Sequence, residues 1–222
     1  ICINLQPNQE VVVSASCECA EFVEHIVNEC YEKGARKVRV EWSQDKISRL
    51  HMQYQTEEVM SEVLPWEEEK MKHMTQVIPC RIYVDDSDPD AFAGLDMKKV
   101  SNSRVARYKV MKKYIDQMDN KYQWTIVGAP GKAWAKKVFP DLSVNEAYNK
   151  LWDAILTVTR VTDDPIKEWE KHNKYLKEKC NKLENDYNDI YDKLTSILND
   201  KVEDSIEENA KQLINELKER VI

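Results

Sequence analysis

The last stretch of the chain, Asp163–Ile222, contains no glycine, and Pro165 is its only proline. Glycine and proline are the residues that most readily end or kink a helix. Nothing after Pro165 therefore readily stops a helix, and we expect this stretch to be helical. It follows a longer segment in which strand-like and helix-like patterns alternate, so the chain combines an α/β segment with a helical extension.

Composition limits the class of protein. With 222 residues, of which 42% are hydrophobic and 33% charged, the chain has room for one large domain or a domain with an extension. The net charge of −7 argues against nucleic-acid and anionic-membrane partners. The sequence shows no membrane-spanning run and no signal peptide, so we predict a cytoplasmic protein. Because it opens on Ile1 and not on Met, we expect its natural start to be missing.

The cysteines follow no spacing typical of a metal site. Zinc-binding pairs are usually separated by two or more residues, whereas Cys17 and Cys19 are separated by one. We predict reduced thiols, as expected in the cytoplasm. The six cysteines are Cys2, Cys17, Cys19, Cys30, Cys80 and Cys180.

Four short apolar runs predict four strands. They are Glu10–Ala15, Lys37–Trp42, Pro79–Val84 and Gln123–Val127. The segments between them have helical patterns: Cys19–Lys33, ended by Gly34; Asp45–Gln76, broken near Pro65; and, after the acidic turn Asp85–Asp90, Met97–Met118. This alternation predicts a small, doubly wound, mainly parallel α/β sheet with flanking helices. We expect the flavodoxin-like strand order.

Two further helical regions follow. Ser143 and Glu146 have the spacing of a capping box before a helix over Val144–Thr159. Beyond Pro165, apolar residues recur in steps of four and three at Leu176, Cys180, Leu183, Tyr187, Ile190, Leu194 and Ile197. After the polar residues 199–201, a second stripe runs from Val202 to Val221. The two helices either fold back on each other or on the domain, or form a dimeric coiled coil; the change of phase near Asn199 favours folding back.

Several phrases, taken in order, carry a family resemblance. They are Asn4–Gln9, Val40–Trp42, Trp124–Pro130 with Ala133–Ala135, Val138–Asp141, and the helix containing Leu151 and Trp152. Together they resemble the N-terminal domain of the thermophilic-type metalloaminopeptidases, the aminopeptidase T and aminopeptidase II group. The resemblance runs from about residue 3 to residue 182. We therefore predict an aminopeptidase-like α/β domain over residues 1–182 and an amphipathic helical tail over 183–222.

The resemblance implies a cytosolic exopeptidase that removes N-terminal residues with two divalent metal ions. In that family the carboxylate and histidine ligands lie in the C-terminal half. This chain has no histidine pair at i, i+4 spacing and no HExxH motif among His25, His51, His73 and His172. We therefore predict no catalytic, cofactor-binding or metal-binding residue in this chain, and binding of a peptide substrate only if the catalytic half is present.

One turn is a candidate anion-binding site. Gly128, Gly131 and Lys132 follow a predicted strand and precede a helix, where backbone amides can hold a phosphate or carboxylate. A P-loop needs glycine at the position of Ile126 and Ser or Thr at that of Ala133. The alternative is a tight turn that lets Trp134 pack.

Two functions remain open. The first is a non-catalytic N-terminal domain of a two-metal aminopeptidase, truncated, rearranged or engineered and inactive alone, so that enzyme activity of this chain stays undecided. The second is a structural or oligomerisation module that assembles as a homo-oligomer through its helical tail. We also expect the final helix, Ser205–Ile222, to return and pack beside the first strand.

Overall fold

The computed structural model describes residues 3–86, 88–199 and 206–221. The chain divides into two compact units, Ile1–Leu156 and Thr157–Ile222. None of the described helices is long and apolar enough to cross a membrane. The predicted domain boundary after Lys182 falls inside a continuous helix. The boundary after Lys182 stays a prediction.

A four-stranded parallel sheet forms the centre of the first unit. Its strands are β1 (Glu10–Ser16), β2 (Lys37–Ser43), β3 (Cys80–Asp85) and β4 (Trp124–Gly128). All pairings are parallel, and the order β2-β1-β3-β4 is the expected flavodoxin-like one. The predicted α/β fold class is confirmed. In the register, Val11 of β1 lies opposite Val38 on one side and Cys80 on the other.

Helices connect and follow the strands. A 3-10 turn (Cys17–Cys19) leads into α1 (Ala20–Glu32); α2 (Asp45–Tyr54), α3 (Glu57–Ser61) and α4 (Pro65–Val77) follow β2; α5 (Met97–Met118) follows β3; α6 (Lys132–Val138) and α7 (Val144–Val158) follow β4. The prediction of a single break in Asp45–Gln76 is wrong. A second break occurs at Gln55, because the Thr56 hydroxyl accepts a hydrogen bond from Val59 N at 3.3 Å and starts a new helix.

The core lies between the sheet and α1. The β1 side chains Val11, Val13 and Ala15 are buried against Val23 and Cys30 of α1. β3 adds Ile82 and Val84 to the same cluster. Alternate residues of a strand point to one face, so these positions define the face that α1 covers.

The helices after β4 form a second apolar cluster. Ala135, Ala147 and Leu151 are its buried members. The predicted capping box is present: Glu146 N donates to Ser143 Oγ at 3.4 Å, and Ser143 N donates to Glu146 Oε2 at 3.0 Å. The Trp152 ring meets Phe22 of α1 edge-on, with ring centroids 5.4 Å apart, which ties α7 to the core.

The second unit contains α8 (Pro165–Asn199) and α9 (Ile206–Val221), which contact each other. Folding back of the two helices, which the sequence favoured, is therefore present. A tight cluster holds the start of α8, where Arg160 lies over the Trp169 ring at 4.9 Å and donates to His172 Nδ1 at 3.0 Å. Ser205 and Ile222, the ends of the predicted last helix, lie outside the described residues. Packing of that helix beside β1 stays a prediction.

Candidate functional site

A cleft of about 660 Å³ lies at the carboxyl ends of the strands. In open parallel sheets, ligands bind outside this edge, where neighbouring connections leave in opposite directions. Here the connections diverge between β1 and β3. The cleft is lined by Ser16, Glu18, Gln44, Asp45, Lys46, Arg49, Asp86, Asp88, Asp90, Ala91, Ala93, Gly131, Lys132 and Ala133. It is the best candidate for a ligand site among the described residues.

One wall comes from the start of α2. The Gln44 side chain accepts a hydrogen bond from Ile47 N at 3.0 Å and caps the helix. This cap fixes the first turns, which present Asp45, Lys46 and Arg49 to the cleft. Arg49 donates to the carbonyls of Ala91 at 2.8 Å and Ala93 at 3.0 Å, so it holds the loop after β3.

The opposite wall is the acidic loop after β3. Asp88 N donates to Asp45 Oδ2 at 3.3 Å, and Asp90 N donates to Asp88 Oδ1 at 2.9 Å. Lys137 pairs with the Asp90 carboxylate at 2.6 Å. Backbone and lysine contacts thus hold carboxylates that would otherwise repel one another.

The cleft carries an excess of negative charge. Five carboxylates line it, from Glu18, Asp45, Asp86, Asp88 and Asp90. Three cations oppose them, from Lys46, Arg49 and Lys132. This mixture suits a polar ligand with an ammonium group better than a phosphate, because a phosphate would be repelled by the carboxylates.

Cys19 lies next to this charge. Burial, together with the Asp86 carboxylate to which the thiol is hydrogen-bonded, raises the pKa of Cys19 to about 12. The thiol is therefore protonated at neutral pH, and a protonated thiol is a poor nucleophile. Cys19 is buried beside Asp86, which lines the cleft, and its raised pKa disfavours the thiolate that covalent catalysis needs.

Only part of the predicted anion-binding turn lies at the cleft. Gly131 and Lys132 line it, whereas Gly128 does not. A Cβ on Gly128 would lie 3.7 Å from the Trp134 ring, and one on Gly131 would lie 2.1 Å from the Asp86 carbonyl oxygen. Close packing accounts for the glycine at 131. Anion binding by these three residues stays a prediction.

The described residues do not fit a metal centre. Among them, no group of three or more His, Cys, Asp or Glu side chains is arranged to hold a metal ion. Two histidines have other partners: His73 Nε2 lies 3.0 Å from Glu10 Oε2, and His172 accepts from Arg160. His25 and His51 are exposed on helices. No hydrolytic step can be derived from these residues.

The family model described as thermophilic metalloprotease (M29) matches residues 1–196. The chain belongs to the M29 family. The match continues past Lys182, where the sequence phrases ended, to within a few residues of the end of α8. The family model thus matches the α/β unit and most of α8.

Individual M29 proteins are also similar to this chain. Aminopeptidase AmpS of Bacillus subtilis is 36% identical over 183 residues, which cover 82% of this chain and 45% of that protein. Aminopeptidase T of Thermus thermophilus is 33% identical over 179 residues, covering 80% and 44%. The solved structure of wild-type AmpT from Thermus thermophilus superposes with a TM-score of 0.67 at 31% identity, covering 79% of this chain and 43% of that one. The chain spans less than half the length of the curated relatives it matches.

Most residues of this cleft are not predicted by the sequence. The sequence predicts Gly131 and Lys132 as candidate site residues, whereas Asp85–Asp90 is predicted only as an acidic turn. The usable signal was the expected strand order, since that order brings the loops after β1 and β3 together. The contribution of α2 could not have been found in this way, because it depends on the Gln44 cap and on contacts between loops.

Proposed function

We propose that this chain is the non-catalytic N-terminal domain of an M29 aminopeptidase, an enzyme that removes N-terminal residues from peptides. The observation that carries the proposal is the position of the match. Relatives named aminopeptidases align through their N-terminal region, over 42–45% of their length. Among the described residues, no group of three or more His, Cys, Asp or Glu side chains is arranged to hold a metal ion, which supports placing the metal ligands outside them.

In this proposal the chain contributes a rigid wall and not a catalyst. The parallel sheet and its loops hold a charged cleft in one arrangement, through contacts such as Arg49 to the Ala91 carbonyl. Such a wall can orient a polar peptide end next to a catalytic half. Divalent metals, two per site, belong to the complete enzyme, and the peptide substrate binds only when that half is present.

An activity assay tests the proposal. Purified chain is incubated with leucine p-nitroanilide and Co²⁺, Zn²⁺ or Mn²⁺, with aminopeptidase T of Thermus thermophilus as the positive control. We expect release of nitroaniline by the control and none above background by this chain. Metal-dependent turnover that co-purifies with the chain and is abolished by EDTA would overturn the proposal.

We also propose that the protein works in the cytoplasm. The described cysteines, Cys17, Cys19, Cys30, Cys80 and Cys180, are all unpaired. Unpaired thiols fit a reducing compartment. Fractionation of expressing cells, with the protein recovered from the periplasmic or secreted fraction and not the cytosol, would contradict this.

A further inference from the structure

The sheet has room for a fifth strand. In the flavodoxin-like order 2-1-3-4-5, the fifth strand lies next to the fourth. This sheet has the order β2-β1-β3-β4, and in the part of the chain that the structure describes no strand follows Gly128. One side of β4 is paired with β3, and no described strand pairs with the other side. We call this other side the free edge of β4.

The hydrogen bonds at the two ends of β4 show which amides face the free edge. The carbonyl of Gln123 accepts from a β3 amide at 3.0 Å, and the amide of Ala129 donates to a β3 carbonyl at 2.9 Å. Successive residues of a strand point their amides to opposite sides, so the odd-numbered residues of β4 bond to β3. The amides of Trp124, Ile126 and Gly128 therefore point to the free edge, where they can bond to an added strand.

The two outer strands of the sheet differ in composition. An open edge pairs readily with other strands, and proteins that leave one open commonly protect it with charged residues or proline. The outer strand β2 carries Lys37, Arg39 and Glu41 among its seven residues. The outer strand β4 carries no charged residue and no proline. The composition thus protects β2 against further pairing and leaves β4 suited to it.

Two large apolar side chains of β4 are exposed. Trp124 is 59% exposed and Ile126 is 61% exposed, whereas Val11 and Val13 of the central strand β1 are buried. Because Trp124 and Ile126 are two residues apart, their side chains lie on the same face of the sheet. An added strand with apolar side chains on that face would reach both and remove apolar surface from water, which stabilises the contact.

We propose that an extended, apolar segment of the catalytic half of an M29 enzyme pairs with the free edge of β4 and forms the fifth strand of this sheet. Its backbone bonds to the outward amides, and its apolar side chains cover Trp124 and Ile126. The relatives have chain available for this strand, because the match covers only 45% of aminopeptidase AmpS. The proposal rests on the proposed function, which makes this chain the N-terminal domain of such an enzyme.

A shared sheet gives the catalytic half a fixed position. Main-chain hydrogen bonds along β4 hold the two halves in one orientation. The turn after β4 carries Gly131 and Lys132, which line the cleft. The added strand therefore also fixes the cleft relative to the catalytic residues.

Amide hydrogen exchange in this chain alone is the first test. By NMR, we expect the amides of Trp124 and Ile126 to exchange at least about tenfold faster than those of Thr125 and Val127, which bond to β3. Equally slow exchange at all four amides means that the chain itself covers the free edge. Slow exchange that becomes fast on dilution means that a second copy covers it. Either result overturns the proposal.

A fusion protein supplies the catalytic half. In it, this chain replaces the matched N-terminal region of aminopeptidase AmpS of Bacillus subtilis. We expect exchange at Trp124 and Ile126 to be at least about tenfold slower in the fusion than in this chain alone. Val40 of β2 is the control. The neighbouring even-numbered residue Val38 donates its amide to Tyr31 Oη at 3.2 Å, so the even-numbered amides of β2 point away from β1, and exchange at Val40 should not change.

Hydrolysis of leucine p-nitroanilide with Co²⁺ separates this proposal from the proposed function. Fast exchange at Trp124 and Ile126 in a fusion that hydrolyses the substrate overturns the fifth strand and leaves the proposed function intact. Slow exchange without hydrolysis supports the strand and counts against the proposed function. A fusion with neither property contradicts both.

A charged residue at the free edge gives a second readout. Ile126→Lys places a lysine beside the added strand, so we expect it to return Trp124 in the fusion to the fast exchange of this chain alone. Ile47→Lys on α2 makes the same change at a side chain that is 51% exposed, and we expect the slow exchange to remain. Circular dichroism checks that both variants stay folded. Equal exchange at Trp124 in the two variants overturns the proposal.

Discussion

Two glycines of one turn have different structural roles. The backbone of the loop after β3 passes so close to Gly131 that a Cβ there would lie 2.1 Å from the Asp86 carbonyl oxygen. At Gly128 an added Cβ would meet only the Trp134 ring, at an ordinary 3.7 Å. The close approach at Gly131 joins the loops after β3 and β4 at the cleft, and this requires a residue without a side chain.

Alanine substitution separates these roles. We expect Gly131→Ala to lower the free energy of unfolding by about 1–3 kcal/mol, because the backbone must move to relieve the overlap. Gly128→Ala is the matched control, with an expected change below about 0.5 kcal/mol. Urea unfolding followed by circular dichroism measures both. Equal destabilisation by the two substitutions would contradict the close approach.

The Cys19 thiol gives stability a pH dependence. Its pKa is raised from 9.0 to about 12, so the folded protein holds this proton where the unfolded chain releases it. The contribution of Cys19 is complete below pH 9 and is lost as pH rises towards 12. We expect the stability difference between wild type and Cys19→Ser to shrink between pH 8 and about 10.5. Urea unfolding at each pH measures it, with Cys17→Ser as the exposed control. A constant difference would contradict the shift.

At the scale of elements, local capping accounts for several helix ends. Ser143 starts α7 through the capping box with Glu146, and the sequence spacing predicted it. The sequence pattern does not predict the start of α3 at Thr56, because no change in composition marks it within a long, highly charged segment. A lone threonine is a weak signal by itself, and a proline such as Pro65 is a much stronger one.

The contribution of the α7 capping box to the free energy of unfolding can be measured directly. Ser143→Ala removes the oxygen that accepts from Glu146 N, so we expect a loss of about 1 kcal/mol in the free energy of unfolding. Ser101→Ala, at an exposed position within α5, is the control, with a change below about 0.5 kcal/mol. Chemical denaturation measures both variants. Indistinguishable values would show that the box does not stabilise α7.

For the molecule as a whole, the pattern of apolar residues predicts the sheet and its helices, but it does not predict the cleft. Runs such as Val11–Val13 predict buried strands, because β-branched residues are enriched in strands and a strand buried on both faces has a continuous apolar run. Trp152 is one of the residues that carry the family resemblance. Its ring packs on Phe22 of α1, so this residue has a structural role in the core. The walls of the cleft depend on contacts between distant loops, such as Arg49 to Ala93, and no local pattern encodes these.

We propose that the metal ligands of an M29 aminopeptidase lie outside the described residues of this chain. Equilibrium dialysis against micromolar Co²⁺, followed by metal analysis of the protein, tests it most directly, with aminopeptidase T of Thermus thermophilus as the reference. We expect bound cobalt in the reference and far less than one ion per chain in this protein, because its described residues form no group of three or more metal-ligating side chains. Two cobalt ions bound tightly per chain would contradict it.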